Sequence, residues 1–193
     1  MAQLDIWPCG GTVDFMPRFF VFLLALLAAP ATGADSHATF DPNVIDVTYG
    51  AFCRQDTVGA VPAPDTAAEK VDLLPNTPEI RWVTHRIPAL PGISFGIRTR
   101  AVDNLRYDPV LIELTHPPFV GSGLTRQSYL TALGGEGASI NAYSFDTVEE
   151  LVTGTWVFRA LHNGQELYRV QFQVVPPELA PDVGRDCGAD IIS

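Results

Sequence analysis

The sequence predicts an all-β fold in which two antiparallel sheets pack face to face. Short runs of alternating apolar and polar residues recur along the chain, and proline, glycine and Asn/Asp turns separate them. No long amphipathic helical repeat interrupts this series.

The N-terminal segment predicts a secretory signal peptide over residues 1–34. The apolar run Phe19–Ala29 follows Arg18 and precedes the small residues of Pro30–Ala34. The run is shorter than the roughly 20 residues that span a bilayer, so cleavage at its end leaves a mature chain without a membrane span. The residues before Met16 are not basic, which makes Met16 a candidate for the true start.

The first predicted strand is Val44–Phe52, and Ile80–Ile87 is predicted as the second. Between them, residues 57–79 are rich in proline, alanine and aspartate, which is typical of a partly ordered surface loop. In a regular first strand, one face carries Ile45, Val47, Tyr49 and Ala51.

The next strands alternate more clearly. Gly92–Val102 is predicted as a half-buried strand. Further strands are predicted at Val110–Thr115, Leu124–Leu133 and Ser139–Phe145, the second of them in preference to a short helix. The buried face of the Gly92–Val102 strand is predicted to carry Ile93, Phe95, Ile97, Thr99 and Ala101.

The strongest local signal is a hairpin at Gly154–Val175. Asn163-Gly164 supplies the positive φ angles of a type I′ turn, whose twist matches two antiparallel strands. The predicted inward faces of its two arms carry Trp156, Phe158 and Ala160, and Tyr168, Val170, Phe172 and Val174.

About seven or eight short strands with turns at this spacing favour an immunoglobulin-like β-sandwich, with a small β-barrel as the alternative. The sandwich domain is predicted at residues 44–176. A flexible tail at 35–43 precedes it, and a C-terminal tail at 177–193 follows it.

Two cysteines remain once the signal peptide is removed, Cys53 and Cys187. An even pair in an oxidising compartment predicts a disulfide that tethers the C-terminal tail. The competing interpretation is a catalytic thiol, which is disfavoured because no histidine lies near either cysteine in sequence.

The net charge of −10 makes nucleic acid an unsuitable partner, because binding to phosphate backbones needs a positive surface. The expected partner is an unidentified protein or another component of the cell envelope. The sequence shows no cofactor motif and leaves the oligomeric state open.

Few residues are arranged as a chemical site. Glu149 and Glu150 are adjacent, so an extended chain points them to opposite faces, and they are expected to be solvated. Arg98 and Arg100 share a strand face and are candidates for an anionic ligand, although pairing with surface acids is favoured. The histidines His85, His116 and His162 are scattered and lack metal-ligand spacing.

The predicted mature N-terminus offers one metal candidate. A chain that begins Asp35-Ser36-His37 presents an amine, two amides and the His37 imidazole, a square-planar set suited to Cu(II) or Ni(II). A flexible tail without this role is the favoured interpretation.

Three segments together resemble a known family. They are "VTYGAF" (Val47–Phe52), "THRIPALPGISFGIRTR" (Thr84–Arg100) and "EELVTGTWVFRALHNGQELYRVQFQVV" (Glu149–Val175). In this order they are similar to a bacterial family of small exported domains, domain of unknown function 3859. The resemblance spans Val44–Val175. It implies a compact β-sandwich and no established activity.

The sequence therefore predicts an exported, periplasmic or extracellular domain that works as a non-enzymatic binding or interaction module through edge strands and loops. The alternatives are a small secreted hydrolase, or an accessory subunit of one, whose acid and histidine groups meet only in the folded chain. A metal-handling role through His37 is the third possibility.

Overall fold

The computed structural model describes Gly10 and residues 37–187. Apart from Gly10, the predicted signal peptide lies outside the described residues, as do the Met16 start and Asp35-Ser36. No helix within the described residues has the length and apolar character needed to cross a membrane. The described strands are β1 (Ala38–Phe40), β2 (Val44–Cys53), β3 (Gly59–Pro62), β4 (Lys70–Leu73), β5 (Trp82–Val83), β6 (Arg86–Pro88), β7 (Ile93–Ala101), β8 (Arg106–Thr115), β9 (Arg126–Gly134), β10 (Ser139–Ser144), β11 (Gly154–His162) and β12 (Gln165–Val175).

Two sheets and one separate hairpin contain these strands. The six-stranded sheet has the order β1-β12-β11-β8-β9, and β6 also pairs with β12. The four-stranded sheet has the order β10-β7-β2-β5, and β3 pairs with β4 alone. The β6–β12 ladder is parallel, and the other ladders are antiparallel.

The order of the seven long strands is immunoglobulin-like. The first, second and fifth of them (β2, β7, β10) share one sheet, and the third, fourth, sixth and seventh (β8, β9, β11, β12) share the other. Immunoglobulin domains divide their strands in the same way, with A, B and E in one sheet and C, F and G in the other. The fourth long strand, β9, pairs with the third, β8. The predicted sandwich is confirmed. No ladder joins the two sheets in the described residues, so the small-barrel alternative is wrong.

The core lies between the two sheets, where the predicted inward faces are confirmed. The β7 residues Ile93, Phe95 and Ile97 are fully buried, as are Trp156 and Phe172 of the hairpin. The Phe95 ring lies 5.3–5.8 Å from the rings of Trp156, Phe158 and Phe172 in edge-on contacts. The hairpin turn is also as predicted, since Asn163 and Gly164 have φ angles of 49° and 82°.

The first strand departs from its predicted alternation. Asp46 has a φ of 50°, and the β2–β7 register shifts between Ile45 and Thr48. This bulge adds a residue to β2 and reverses its faces, so Val44 is buried and Ile45 is exposed. The predicted position of Ile45 on one face with Val47, Tyr49 and Ala51 is therefore wrong.

Two other segments differ from their predicted form. Ile80–Ile87 is not one strand, because β5 pairs with β2 and β6 pairs with β12 in the opposite sheet. Its chain passes from one sheet to the other between Val83 and Arg86. The predicted loop at 57–79 contains the β3–β4 hairpin, whose strands lack the alternation that signals a sheet with one buried face.

Both ends of the described segment, residues 37–187, pack against the sandwich. Strand β1, inside the segment predicted as a flexible tail, pairs with β12 over Ala38–Phe40. At the other end, Cys53 and Cys187 form the predicted disulfide, with Cα atoms 5.1 Å apart. Val183 and Cys187 pack on the core, so the disulfide fixes the C-terminal segment beside the end of β2.

Candidate functional site

A cavity of about 140 Å³ lies beneath the β3–β4 hairpin. Its walls come from the edge strands β9 and β10, the end of β2, and the hairpin with its connecting loop. Most of its accessible surface is apolar, with Phe52, Leu114 and Phe158 among the lining residues. The cavity therefore opens at the side of the sandwich where the edge strands of the two sheets meet.

Within residues 37–187, three hydrogen bonds attach the hairpin segment, residues 57–79, across this side. The amide of Ser128 on β9 donates to the carbonyl of Asp65 at 3.0 Å. The amide of Ala67 donates to the Gln127 side-chain oxygen at 2.8 Å, and the Thr77 hydroxyl donates to the Ala138 carbonyl at 3.0 Å. The hairpin segment thus covers the cavity, and few hydrogen bonds hold this segment in place.

Gln127 joins this cover to a buried imidazole. Because Oε1 of Gln127 accepts from Ala67, its Nε2 is a donor, and it lies 3.1 Å from Nε2 of His116. The other ring nitrogen, Nδ1, lies 2.8 Å from the Pro117 carbonyl, which only accepts. His116 is therefore held as the neutral Nδ1–H tautomer.

The surroundings of His116 favour that neutral form. The ring stacks against both Phe119 and Trp156, with centroid distances of 4.0 and 4.6 Å. Burial lowers the pKa of His116, and the bond to Pro117 opposes this only in part. His116 is thus a buried structural imidazole with both ring nitrogens engaged.

Tyr143 and Glu150 form the polar wall of the cavity. Burial raises the pKa of Tyr143 well above its usual range, and the adjacent Glu150 carboxylate raises it further. The Tyr143 hydroxyl also interacts with Gln127. Glu150 is 7% exposed and accepts a hydrogen bond of 2.9 Å from the amide of Asp146.

The other charged side chains that line the cavity are paired with each other. Arg54 lies 2.7 Å from Asp146, and Lys70 lies 2.6 Å from Asp72. No ion pair to Glu150 is found among the described residues. Glu150 is therefore a buried carboxylate that lines an apolar cavity without a cationic partner in residues 37–187.

The prediction that Glu149 and Glu150 are both solvated is wrong for Glu150. A short 3₁₀ helix, Val148–Glu150, replaces the extended chain and leaves Glu149 exposed while Glu150 turns inward. The helix is stabilised by a bond of 3.3 Å from the Glu150 amide to the Thr147 carbonyl. No periodic signal in this stretch indicates such a turn.

The other candidate residues lie away from the cavity lining. Arg98 pairs with Glu79 at 2.9 Å, and Arg100 lies 3.7 Å from Asp46. The His37 ring lies 4.9 Å from the His85 ring, a contact that the sequence does not indicate. Among the described residues there is no cluster of three or more histidine, cysteine, aspartate or glutamate side chains arranged to hold a metal ion.

Gln127 and the β3–β4 hairpin are site components that the sequence interpretation missed. Gln127 occurs in an ordinary alternating strand, and its side chain is buried because β9 directs it inward. The Pro- and Ala-rich composition of the hairpin resembles a plain loop. Only the long-range hydrogen bonds between β9 and the loop of the hairpin identify Gln127 and the hairpin as parts of the site.

Comparisons with known proteins give a family match and matches to solved structures. A family model described as "Domain of unknown function (DUF3859)" matches residues 41–174. An immunoglobulin-like protein from Pseudomonas aeruginosa is similar at 20% identity and a TM-score of 0.47, over 74% of this chain and 100% of that one.

A second solved structure, the Pseudomonas fluorescens alkylpurine DNA glycosylase AlkC bound to DNA with an abasic site analog, is similar at 15% identity and a TM-score of 0.27. That similarity covers 47% of this chain and 27% of the glycosylase. No curated protein matches the chain.

Proposed function

The chain belongs to the DUF3859 family of domains of unknown function, and from that premise we propose that it is an exported, non-enzymatic binding module. Its ligand site is the cavity beneath the β3–β4 hairpin. The observation that carries the proposal is Glu150, a buried carboxylate that lines this cavity without a cationic partner among the described residues.

The missing counter-charge specifies the ligand chemistry. Burying a carboxylate is costly unless a cation or several donors compensate it. Here the Asp146 amide and the Tyr143 hydroxyl are the neighbours that interact with Glu150. An ammonium group supplies the remaining charge, and the rings of Phe158 and Tyr143 in the lining offer it cation–π contacts.

The cavity volume limits the size of the ligand. Its 140 Å³ is close to the roughly 150 Å³ of an engineered protein cavity that accepts one benzene ring. The apolar walls suit a ring or a short alkyl chain. The proposed ligand class is therefore a small primary amine with one apolar group.

Binding rather than hydrolysis is supported by the partners of the hydroxyl, imidazole and thiol side chains, which are bonded to other groups of the protein. The hydroxyls of Ser94 and Ser144 in the cavity lining lie 2.6 Å apart and bond to each other. The His116 ring nitrogens are both engaged, and Cys53 and Cys187 form a disulfide. Covalent catalysis requires a hydroxyl or thiol nucleophile beside a base, with both groups free to bond to each other.

Export is the second part of the proposal. Its support is the Cys53–Cys187 disulfide, a bond typical of oxidising compartments, together with the signal-like segment over residues 1–34. Mass spectrometry of the chain recovered from the periplasm tests this part. An N-terminus near residue 35 is expected, and recovery of the intact chain from the cytoplasm alone contradicts export.

Titration with benzylamine, benzyl alcohol and benzoate tests the ligand class. We expect saturable amide chemical-shift changes around Ala67, Ala142 and Ser144 with benzylamine, weaker ones with the alcohol, and none with benzoate. Glu150→Gln removes the charge with little change in shape, and Glu149→Gln is the matched control on the exposed side of the same turn.

We expect Glu150→Gln to weaken benzylamine binding at least tenfold and Glu149→Gln to leave it unchanged. Equal affinities for amine and benzoate, or an unchanged affinity in Glu150→Gln, overturn the proposed ligand class. Absence of any shift at the cavity amides with all three compounds overturns the cavity as a site for such ligands.

A further inference from the structure

We propose that His37 and His85 together bind one transition-metal ion at the outer edge of β12. This site is independent of the cavity. It also differs from a site made by the chain terminus alone, because it requires a second imidazole from a distant part of the chain.

The two histidines meet because two strands approach the same edge of β12 from opposite directions. His37 immediately precedes β1, which pairs antiparallel with β12, and His85 immediately precedes β6, which pairs parallel with it. The His37 carbonyl accepts from the Gln171 amide at 2.8 Å, and the His85 carbonyl accepts from the Gln173 amide at 2.7 Å. The backbone therefore fixes the spacing of both residues.

The bond between Nδ1 of His85 and the Gln171 carbonyl prepares this ring for a metal. The distance is 2.8 Å, and since a carbonyl only accepts, Nδ1 carries the proton. Nε2 then has a free lone pair. A backbone carbonyl on the second ring nitrogen is the usual device that orients a metal-binding histidine.

Aromatic packing holds the His85 ring in place. Its centroid lies 4.6 Å from Tyr49 and 6.2 Å from Phe172, and the residue is half-buried. His37 is exposed, and its ring has no hydrogen bond to the described residues. The neighbouring rings thus combine one fixed ligand with one accessible ligand, and water would complete the coordination.

The ring separation fits two imidazoles on one ion. With a metal–nitrogen bond of about 2.0–2.1 Å, the metal lies roughly 3.2 Å from each ring centre. Ligand angles between about 90° and 110° then place the ring centres roughly 4.5–5.2 Å apart. The observed separation of 4.9 Å lies in this range. Imidazole ligands select Zn²⁺, Cu²⁺ or Ni²⁺ rather than Ca²⁺ or Mg²⁺.

Calorimetric titration of the untagged exported protein with Zn²⁺ tests the site. His37→Ala and His85→Gln are each expected to weaken Zn²⁺ binding at least tenfold. His162→Ala is the matched control, because both ring nitrogens of His162 are already engaged, with the Pro109 carbonyl and the Asn163 side chain. Its Zn²⁺ affinity should equal that of the unchanged protein.

Retained Zn²⁺ affinity in His85→Gln overturns the proposal, as does an equal loss in His162→Ala. Copper binding that depends on His37 and not on His85 assigns the metal to the chain terminus instead, and also overturns it. If a variant fails to fold, NMR spectra of the unchanged protein still test the site. Zn²⁺ must shift the imidazole ¹⁵N resonances of His37 and His85, and unshifted resonances contradict the site.

Discussion

The side-chain amide of Gln127 donates a hydrogen bond to Nε2 of His116 at 3.1 Å, while its oxygen accepts from the Ala67 amide at 2.8 Å. One glutamine thus links the hairpin over the cavity to an imidazole stacked in the core. Protonation of His116 at Nε2 removes the acceptor in that bond. The link therefore depends on His116 remaining neutral.

Stability should fall in mildly acidic solution because of His116. Burial lowers its pKa in the folded state, whereas the unfolded residue keeps a value of about 6.5. The contribution of the neutral ring is therefore complete above about pH 6.5 and is lost as the pH falls from there towards the folded-state pKa. Urea unfolding between pH 7.5 and 5 should show this decline.

His116→Phe keeps an aromatic ring against Phe119 and Trp156, and should have a flatter stability profile over the same pH range. His162→Ala, the control, should keep the decline of the unchanged protein. A profile for His116→Phe that parallels the unchanged protein would assign the pH dependence to other groups.

The Cys53–Cys187 disulfide should contribute strongly to stability. It closes a loop of 134 residues, for which the chain-entropy model gives a stabilisation of about 5 kcal/mol. Replacing both cysteines with alanine should lower the free energy of unfolding by about 3–5 kcal/mol in urea titrations. Reductant should destabilise the unchanged protein by a similar amount and leave the double variant unaffected. A loss below about 1 kcal/mol contradicts the expectation.

Gly96 in β7 should not tolerate a side chain. A Cβ atom there overlaps the backbone of β10 at Asn141 and Ala142, which cannot rotate away. Gly96→Ala should lower the free energy of unfolding by about 2–3 kcal/mol. The control is Gly137→Ala, because no atom lies within 4 Å of a Cβ at that position. Equal stability of the two variants in thermal and urea unfolding would be evidence against the β7–β10 pairing.

Glu150→Gln should leave the ligand-free protein as stable as the unchanged one, or more stable by about 1 kcal/mol. The substitution removes a buried charge but keeps an oxygen that accepts from the Asp146 amide. A residue retained at the expense of stability is typical of a functional site. Glu149→Gln should have no effect. Destabilisation by more than about 2 kcal/mol would make Glu150 a structural residue instead.

The parts of the fold that the sequence predicts are those with strong local signals. The Asn163-Gly164 turn sets its hairpin without help from distant residues, and the alternation of Ile93–Ala101 follows from one buried face. The pairing of Cys53 with Cys187 follows from their number and predicted compartment. Each of these inferences needs only a short stretch of sequence or the number of cysteines.

The site could not be predicted because it depends on long-range contacts. Burial of Glu150 follows from a single 3₁₀ turn beneath the hairpin, and adjacent glutamates carry no sign of it. His37 and His85 meet only because β1 and β6 pair with the same strand. The bulge at Asp46 likewise reverses the faces of β2 without a periodic signal.

The central claim is that the cavity binds a small amine against Glu150, and a structure of the benzylamine complex tests it most directly. We expect the benzylamine ring beside Phe158 and Tyr143, with the ammonium nitrogen about 2.7–2.9 Å from a Glu150 carboxylate oxygen. Benzylamine bound elsewhere, or bound in the cavity with its nitrogen directed away from Glu150, would contradict the account.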